Sequence, residues 1–402
     1  MKYFVLAFAL LTVCFSASPA SAALADEQQL VAANTTFAFN LLKQLNADQP
    51  ARNIFISPYS ASTVLQMVDT GAVGRTKVEM DQALGVTSLT PDALGAASQG
   101  ISQMLTGGPN VTLTTANAIW YRKDFKVKHD FLARGRKLFG STVDALDFAD
   151  PHSVDVINNW ADTQTHGKIT HFADGMIDPR ATELFLANAV YFKGKWAEPF
   201  KPEATYDHPF HLRGGTDKTV RLMTQSKVFV YRSGPGYQAV RLPYVGNNLA
   251  MVVFLPDTNS SPERLLDIMS GDLWQNDTRG SFKREQGTLE LPKFKLEDTL
   301  ELAKPLAAMG MKSAFDPAVA DFSGMAPELH ISAVRQKTFV EVKEEGTEAA
   351  AVTGVAMAGA ALAMPPPEHF EMIVDRPFLF LIEDNRTGTI LFMGVVYEPK
   401  AD

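Results

Sequence analysis

The stretch Glu344-Glu345-Gly346-Thr347-Glu348-Ala349-Ala350-Ala351-Val352-Thr353-Gly354-Val355-Ala356-Met357-Ala358-Gly359-Ala360-Ala361-Leu362-Ala363-Met364-Pro365-Pro366-Pro367 obeys none of the ordinary patterns of a globular chain. From Ala349 to Met364 there are 16 residues with no charge and no proline, almost all of them small. Alanine favours helix, yet three glycines interrupt the stretch, no amphipathic face emerges, and the prolines close it in an extended conformation. As a membrane helix it is too short, since 16 residues rise about 24 Å against a hydrocarbon core of about 30 Å. Two readings remain: a buried or poorly ordered alanine-rich segment, or a segment able to enter a β-sheet. An inserting strand must be small or apolar, uncharged on its inward face and free of proline. With Thr347, Ala349, Ala351, Thr353, Val355 and Met357 on one face and Glu348, Ala350, Val352 and Gly354 on the other, the only charge falls on the second face, which has to meet solvent at Glu348.

The rest of the 402-residue chain can build a core for such a sheet, being 46% hydrophobic and 20% charged, far from a disordered composition. A net charge of −8 argues against general nucleic-acid or anionic-lipid binding. Met1-Lys2, the apolar run Tyr3 to Phe15 and the small residues Ala20-Ser21-Ala22 read as a secretory leader over residues 1–22. Cleavage there removes Cys14, the only cysteine, and with Lys2 takes the net charge to −9. A lipid anchor on Cys14 is disfavoured by the poor match of Leu11-Thr12-Val13 to the small residues that precede a lipidated cysteine. The mature chain, residues 23–402, is expected to be exported, extracellular or periplasmic, and held together without disulfides.

Helix starts are marked by a capping side chain followed by proline at Ser57-Pro58, Thr90-Pro91 and Asp150-Pro151. An apolar stripe at Leu30, Phe37, Leu41 and Leu45 predicts an earlier helix over 26–45. After about residue 180 the texture turns strand-like, at 183–192, 219–231, 249–255, 288–295, 338–342, 378–382 and 389–397, with a hairpin turn at Asn385-Arg386-Thr387-Gly388. Helices early and strands late predict an α+β fold in one domain.

Several segments then resemble the serpin family in order along the chain. Glu344 through Ala351 looks like the proximal hinge of an inhibitory reactive-centre loop, and 53–60 (Asn-Ile-Phe-Ile-Ser-Pro-Tyr-Ser) like the start of an early helix. Asn188-Ala189-Val190-Tyr191-Phe192-Lys193-Gly194-Lys195-Trp196 resembles the top of the main sheet, and Arg376-Pro377-Phe378 through Phe392-Met393-Gly394 the C-terminal signature. The resemblance implies about three β-sheets, eight or nine helices, an exposed reactive-centre loop at about 344–370 and a metastable native state. It implies a suicide-substrate inhibitor, whose cleaved loop inserts into the main sheet and traps the acyl-enzyme. On this reading Gly346 and Thr347 lead the insertion, Glu344, Glu345, Glu348, Ala349, Ala350 and Ala351 complete the hinge, and Ser57, Ser60 and Asn188 form the polar shutter where the sheet parts. Ser57 is also explained by simple capping. Trp196 sits where insertion begins, though a lone tryptophan is also ordinary core. Two departures stand out: Gln336 replaces the histidine usual in the shutter and does not titrate near neutrality, and the loop is longer than is common.

The usual spacing from Glu344 places the reactive bond at Ala360-Ala361, which suits an elastase-like serine protease with a shallow pocket. Leu362 or Met364 would suit a chymotrypsin-like or broader elastase-like pocket, with a longer inserting arm. No Arg or Lys lies between Glu345 and Arg376, which disfavours trypsin-like targets. The runner-up is a non-inhibitory protein of the same fold used for binding, storage or chaperone duty. No nucleophile elbow or phosphate loop supports an enzyme, and no metal or cofactor is expected. The histidine pairs His166/His171 and His208/His211 lack a zinc-protease arrangement, and the basic run from Arg122 to Lys137 reads as a solvated face rather than a polyanion site. The working form is expected to be a monomer with a risk of loop-sheet polymerisation, and four Asn-x-Ser/Thr sequons stand at Asn34, Asn110, Asn259 and Asn276.

Overall fold

A computed structural model describes residues 19–105, 111–347 and 369–400. Among them the helices are α1 (Pro19–Asp48), α2 (Pro58–Asp69), α3 (Gly74–Leu84), α4 (Pro91–Met104), α5 (His129–Phe139), α6 (Ser153–Gln164), α7 (Pro262–Ile268), α8 (Gly271–Leu273) and α9 (Ala303–Ala308). The strands are β1 (Ile54–Ile56), β2 (Val111–Arg122), β3 (Thr142–Leu146), β4 (Leu184–Lys195), β5 (Thr205–His211), β6 (Asp217–Gly234), β7 (Tyr237–Pro243), β8 (Leu249–Pro256), β9 (Lys283–Pro292), β10 (Phe294–Glu301), β11 (Ala333–Lys343), β12 (Gly346–Thr347), β13 (Phe370–Ile373), β14 (Phe378–Asp384) and β15 (Ile390–Val396).

Six strands form the main sheet in the order β10-β11-β12-β4-β2-β3. The other nine form one hydrogen-bonded network that divides along the 18-residue β6, with β5, β9 and β13 on one side of the division and β7, β8, β14, β15 and β1 on the other. The result is three sheet layers in one α+β domain with nine α-helices among the described residues, as expected. The turn at 385–388 also holds: Gly388 has φ 79° and its N–H donates to the Asp384 carbonyl.

Two sequence expectations need correction. Asp150-Pro151 does not cap α6: the Asp150 carboxylate accepts from the His152 N–H at 2.9 Å, making a local turn that delays the helix to Ser153. Strands are also not confined to the second half, because β2 and β3 precede residue 180 and complete the main sheet. β2 carries strand-favouring residues, Val111, Thr112, Thr114, Thr115, Ile119, Trp120 and Tyr121, so its signal is present in the sequence even though it stands among the early helices.

The main sheet is buried on both faces, which explains the near-continuous apolar reading of β4. Leu184, Leu186, Val190 and Phe192 face the large core with α1 and α2, whose apolar stripes pack there; every residue of α2 is buried. Phe185, Ala187 and Ala189 face the other way, with Ala116, Ala118 and Trp120 of β2, into a smaller core closed by Ile157 and Ala161 of α6 and by Phe172. Alanines on this face let α6 lie close to the sheet. α1 begins at Pro19 and passes Ala22 without a break, but residues 21–25 are exposed and Leu30 is the first fully buried side chain.

Ala187→Leu should overpack the layer beneath α6 and cost about 2 kcal/mol, read as a lower urea midpoint; an unchanged midpoint would contradict the close contact.

Candidate functional site

The site is a seam in the main sheet. β11 and β4 run parallel and pair directly from Ala333 opposite Phe185 to Phe339 opposite Tyr191. Beyond Phe339 they part, and β12 lies between them, antiparallel to both: Gly346 faces Lys343 and Lys195, and Thr347 faces Val342 and Gly194. Glycine is required at 346 because φ is 150° and a Cβ would stand 2.2 Å from the Gly194 carbonyl oxygen. Gly194 makes room in turn for the Tyr244 ring, which a Cβ there would meet at 2.8 Å.

Polar contacts lock this wedge. The fully buried Thr347 hydroxyl shares a 2.8 Å hydrogen bond with the Tyr244 hydroxyl, and burial pushes that phenol far above its usual titration range. Trp196 stacks on Tyr244 with ring centroids 4.6 Å apart, donates from its indole N–H to the Lys343 carbonyl at 3.0 Å, and donates from its backbone N–H to the Glu345 carbonyl at 3.0 Å. The Glu344 carboxylate accepts from the Thr205 hydroxyl at 2.9 Å and pairs with the Lys293 ammonium at 3.0 Å. Burial alone would raise the Glu344 pKa, but Lys293, the backbone and Thr205 outweigh it and hold the group below the ordinary carboxylate value. Its ionised form therefore stabilises the turn between β11 and β12 throughout the neutral range, and that contribution is lost only as the pH falls through the depressed value.

One level down the seam, three amide side chains stand in a row across adjacent strands. Gln336 of β11 is opposite Asn188 of β4, which is opposite Asn117 of β2. Gln336 accepts from the Ser57 N–H at 2.8 Å and donates to the Ser57 carbonyl at 2.9 Å and to the Asn188 side-chain oxygen. Asn188 donates to Ser60 and to Asn117, and Ser60 donates to Asn117 at 3.0 Å. Ser57 accepts weakly from the Ser60 N–H at 3.4 Å as the helix cap and donates at 2.7 Å to the Leu391 carbonyl, so capping and tethering coexist. Thr338 extends the network, donating at 2.7 Å to the Phe55 carbonyl.

All five residues assigned to the shutter and sheet opening thus lie along this seam, with Glu344, Glu345, Gly346 and Thr347 at its open end. Glu348 to Ala351 and the Ala360-Ala361 bond lie outside the described residues. Sequence reasoning missed Asn117, Thr338 and Tyr244. The first had a readable signal, because Ala116-Asn117-Ala118 and Ala187-Asn188-Ala189 are the same tripeptide and pair residue for residue. In the basic run, Arg122, Lys123, Arg134 and Arg136 pair with Asp124, Asp147, Asp92 and Asp144, as on a solvated face. Among the described residues no group of three or more His, Cys, Asp or Glu side chains is arranged to hold a metal.

Comparison with known proteins gives the same picture. Residues 32–399 match the family described as Serpin (serine protease inhibitor). The leukocyte elastase inhibitor of Sus scrofa is 38% identical over 392 residues, covering 92% of this chain and all of that protein, and that of Homo sapiens is 37% identical with the same coverage. Among solved structures, the thermophilic serpin tengpin in its native state superposes with a TM-score of 0.85 at 30% identity, covering 92% of this chain and 94% of that one. Human thyroxine-binding globulin superposes with a TM-score of 0.84 at 28% identity, covering 94% and 100%.

Because the amide row contains no titrating group, Gln336→His should add a pH dependence that the parent lacks at this site. Burial disfavours the imidazolium, so the variant's thermal midpoint, taken as a difference from the parent, should be level above about pH 7 and fall below about pH 6.5. A difference that is flat with pH would contradict the buried placement.

Proposed function

The chain belongs to the serpin family of serine protease inhibitors and is an inhibitor rather than an enzyme, and from that premise we propose that it is an exported suicide-substrate inhibitor of elastase-like serine proteases. In this reading the protease's serine Oγ attacks the Ala360 carbonyl, the Ala360–Ala361 bond breaks, and the Ala361 amine leaves with a proton. The resulting ester is trapped because the freed loop enters the seam faster than water can hydrolyse it.

The observation that carries the reading is β12, seated between β11 and β4 and antiparallel to each. Continued insertion replaces one parallel pairing with two antiparallel ladders, the more stable arrangement per residue. The two registers also agree with each other. Each step along the loop is one step back along both strands, so Thr353 comes to lie between Gln336 and Asn188, on the same face as Thr347. Its hydroxyl can replace the amide hydrogen bond that parting the strands breaks. Both strands run out opposite residues 356 and 357, where β11 begins at Ala333 and β4 at Leu184. Cleavage after Ala360 then leaves a free arm of three residues, spanning about 10 Å, whereas Leu362 or Met364 would leave five or seven, a slack arm.

The elastase-like preference draws on the alanines flanking the bond, on the absence of Arg or Lys between Glu345 and Arg376, and on the elastase-inhibitor names of the relatives. Export is supported by the leader and by the exposure of residues 21–25, which flank the expected cleavage point. The working form is a monomer with loop-sheet polymerisation as its hazard, since a seam open to its own loop also admits a neighbour's.

The test is to incubate residues 23–402 with an elastase-like and a chymotrypsin-like protease, then combine denaturing gels with mass analysis of the released C-terminal peptide. A complex that survives denaturation and a peptide beginning at Ala361 are expected. A peptide beginning at Ala363 or Pro365 moves the bond to Leu362 or Met364, and clean cleavage by both enzymes without complex overturns the inhibitory reading. Thr347→Arg, which forces a charge into the seam at a cost of several kcal/mol, should convert the protein to a plain substrate. Thr353→Val should raise the fraction turned over without abolishing the complex; no increase would count against the register.

A further inference from the structure

The seam is fastened at a second place that the inhibitory reading leaves unused. At its foot, just below the paired Ala333 and Phe185, the Ser332 N–H donates to the Leu184 carbonyl at 3.0 Å. The Ser332 hydroxyl accepts in turn from the Glu183 N–H at 2.9 Å. His330 completes the contact: its Nδ1 stands 2.7 Å from Glu183 Oε2, and since a carboxylate oxygen accepts, the ring nitrogen is the donor. The two residues that lead into β11 thus hold Glu183 by its carboxylate and by its N–H. The imidazole and the carboxylate are only 15% and 19% exposed, which shields their hydrogen bond from water. On the other side Glu183 is tied to β2, its carbonyl accepting from the Arg122 N–H at 2.9 Å and its carboxylate lying 3.6 Å from the Arg122 guanidinium. The cluster therefore joins the half of the sheet made by β10 and β11 to the half made by β4, β2 and β3.

We propose that His330, Ser332 and Glu183 are a clasp that keeps the foot of the seam shut and must release before the last inserting residues can enter, a proposal that rests on the insertion reading and divides it into two stages. Carried down from β12, the register sets residue 354 level with Arg335 and Ala187, residue 357 level with Ser332 and Leu184, and residue 358 level with Ile331 and Glu183. At the top of the seam, three steps along the strands are enough to pass from direct pairing at Phe339 and Tyr191 to a gap that seats Thr347 between Val342 and Gly194. The same spread, started from a clasp closed at Ser332 and Leu184, seats a strand as far down as residue 354. Entry through Gly354 therefore leaves the clasp untouched, whereas residues 357 and 358 take the space that its hydrogen bonds now close. Lower backbone pairings are exchanged for new ladders as the loop enters, and Thr353 can replace the amide bond at Gln336. The bond between His330 and Glu183 finds no such replacement, because Met357 and Ala358 carry no polar side chain. The three residues touch no reacting atom; they are positioning residues, which set how far the loop travels before the ester is pulled taut.

The test needs no protease. Two synthetic peptides with the loop's own sequence, residues 348–354 and 348–358, carry a fluorophore at the N terminus and are mixed with residues 23–402, and their uptake is followed by anisotropy. His330→Ala should speed uptake of the longer peptide about tenfold, the worth of one hydrogen bond to a charged group, and leave that of the shorter within about twofold of the parent. His330→Asn, which can present an amide N–H to Glu183 where Nδ1 stood, should return the longer peptide to the parent rate. Ser332→Ala, which removes the acceptor of the Glu183 N–H, should sort the peptides in the same direction as His330→Ala and takes its place if that variant does not fold. A general loosening of the molecule would speed both peptides alike, so equal acceleration overturns the clasp, as does an unchanged rate for the longer peptide or no uptake of either. The protease assay is separate: a chain that sorts the two peptides but forms no protease complex keeps the clasp and loses the inhibitory reading, so the two failures are distinct results.

Discussion

Everything specific about this molecule depends on two parallel strands that pair along only part of their length. β11 and β4 hold each other from Ala333 to Phe339, then diverge, and the backbone groups of the upper part of each are satisfied by the chain that leaves β11 and turns back as β12. Buried backbone donors and acceptors must find partners, so a partly opened sheet needs something of strand-like shape in the opening. β12 supplies it with two residues, one without a side chain and one whose hydroxyl finds Tyr244. A sheet closed all the way up would give the loop nowhere to start, and one open all the way down would expose the amide row.

Below the wedge, the first turn of α2 acts as a hub. Ser57 is bonded to Gln336 on one side of the seam, while Ser60 is bonded to Asn188 and Asn117 on the other. Of the side-chain hydrogen bonds in this row, the one from Gln336 to Asn188 joins the two strands directly. The polar groups are thus grouped so that each half of the sheet would keep most of its partners on the proposed opening, which would keep the desolvation cost of parting small.

How far the sequence revealed this depended on whether a residue's role was local. The Ser57-Pro58 and Thr90-Pro91 caps, the turn before Gly388 and the apolar stripes of α1 were readable because each is decided within a few residues. Glu344 to Thr347 stood out by resemblance, but that Thr347 meets Tyr244 and Glu344 meets Thr205 and Lys293 depends on chain more than fifty residues away. Asn117 lay between those cases: its tripeptide repeats that of Asn188 and β2 is strand-like in composition, but that the two strands pair side by side is not decided locally. Asp150-Pro151 misled because Asp150 spends its carboxylate on a turn two residues ahead of the helix.

The shared register of β12 with both neighbours has one more consequence. Successive residues of a strand point to opposite faces, so a slip of one position exchanges the faces entirely. Thr347 is anchored to Tyr244, and on the proposed insertion the position two residues beyond it would fall opposite Val340 and Phe192, both fully buried. One extra residue directly after Thr347 would deliver the Glu348 carboxylate to that place, and two would carry it back to solvent. On the proposed insertion the sheet would therefore count the loop as odd or even before it reads composition, and length changes in multiples of two would be the ones along which such a loop can evolve.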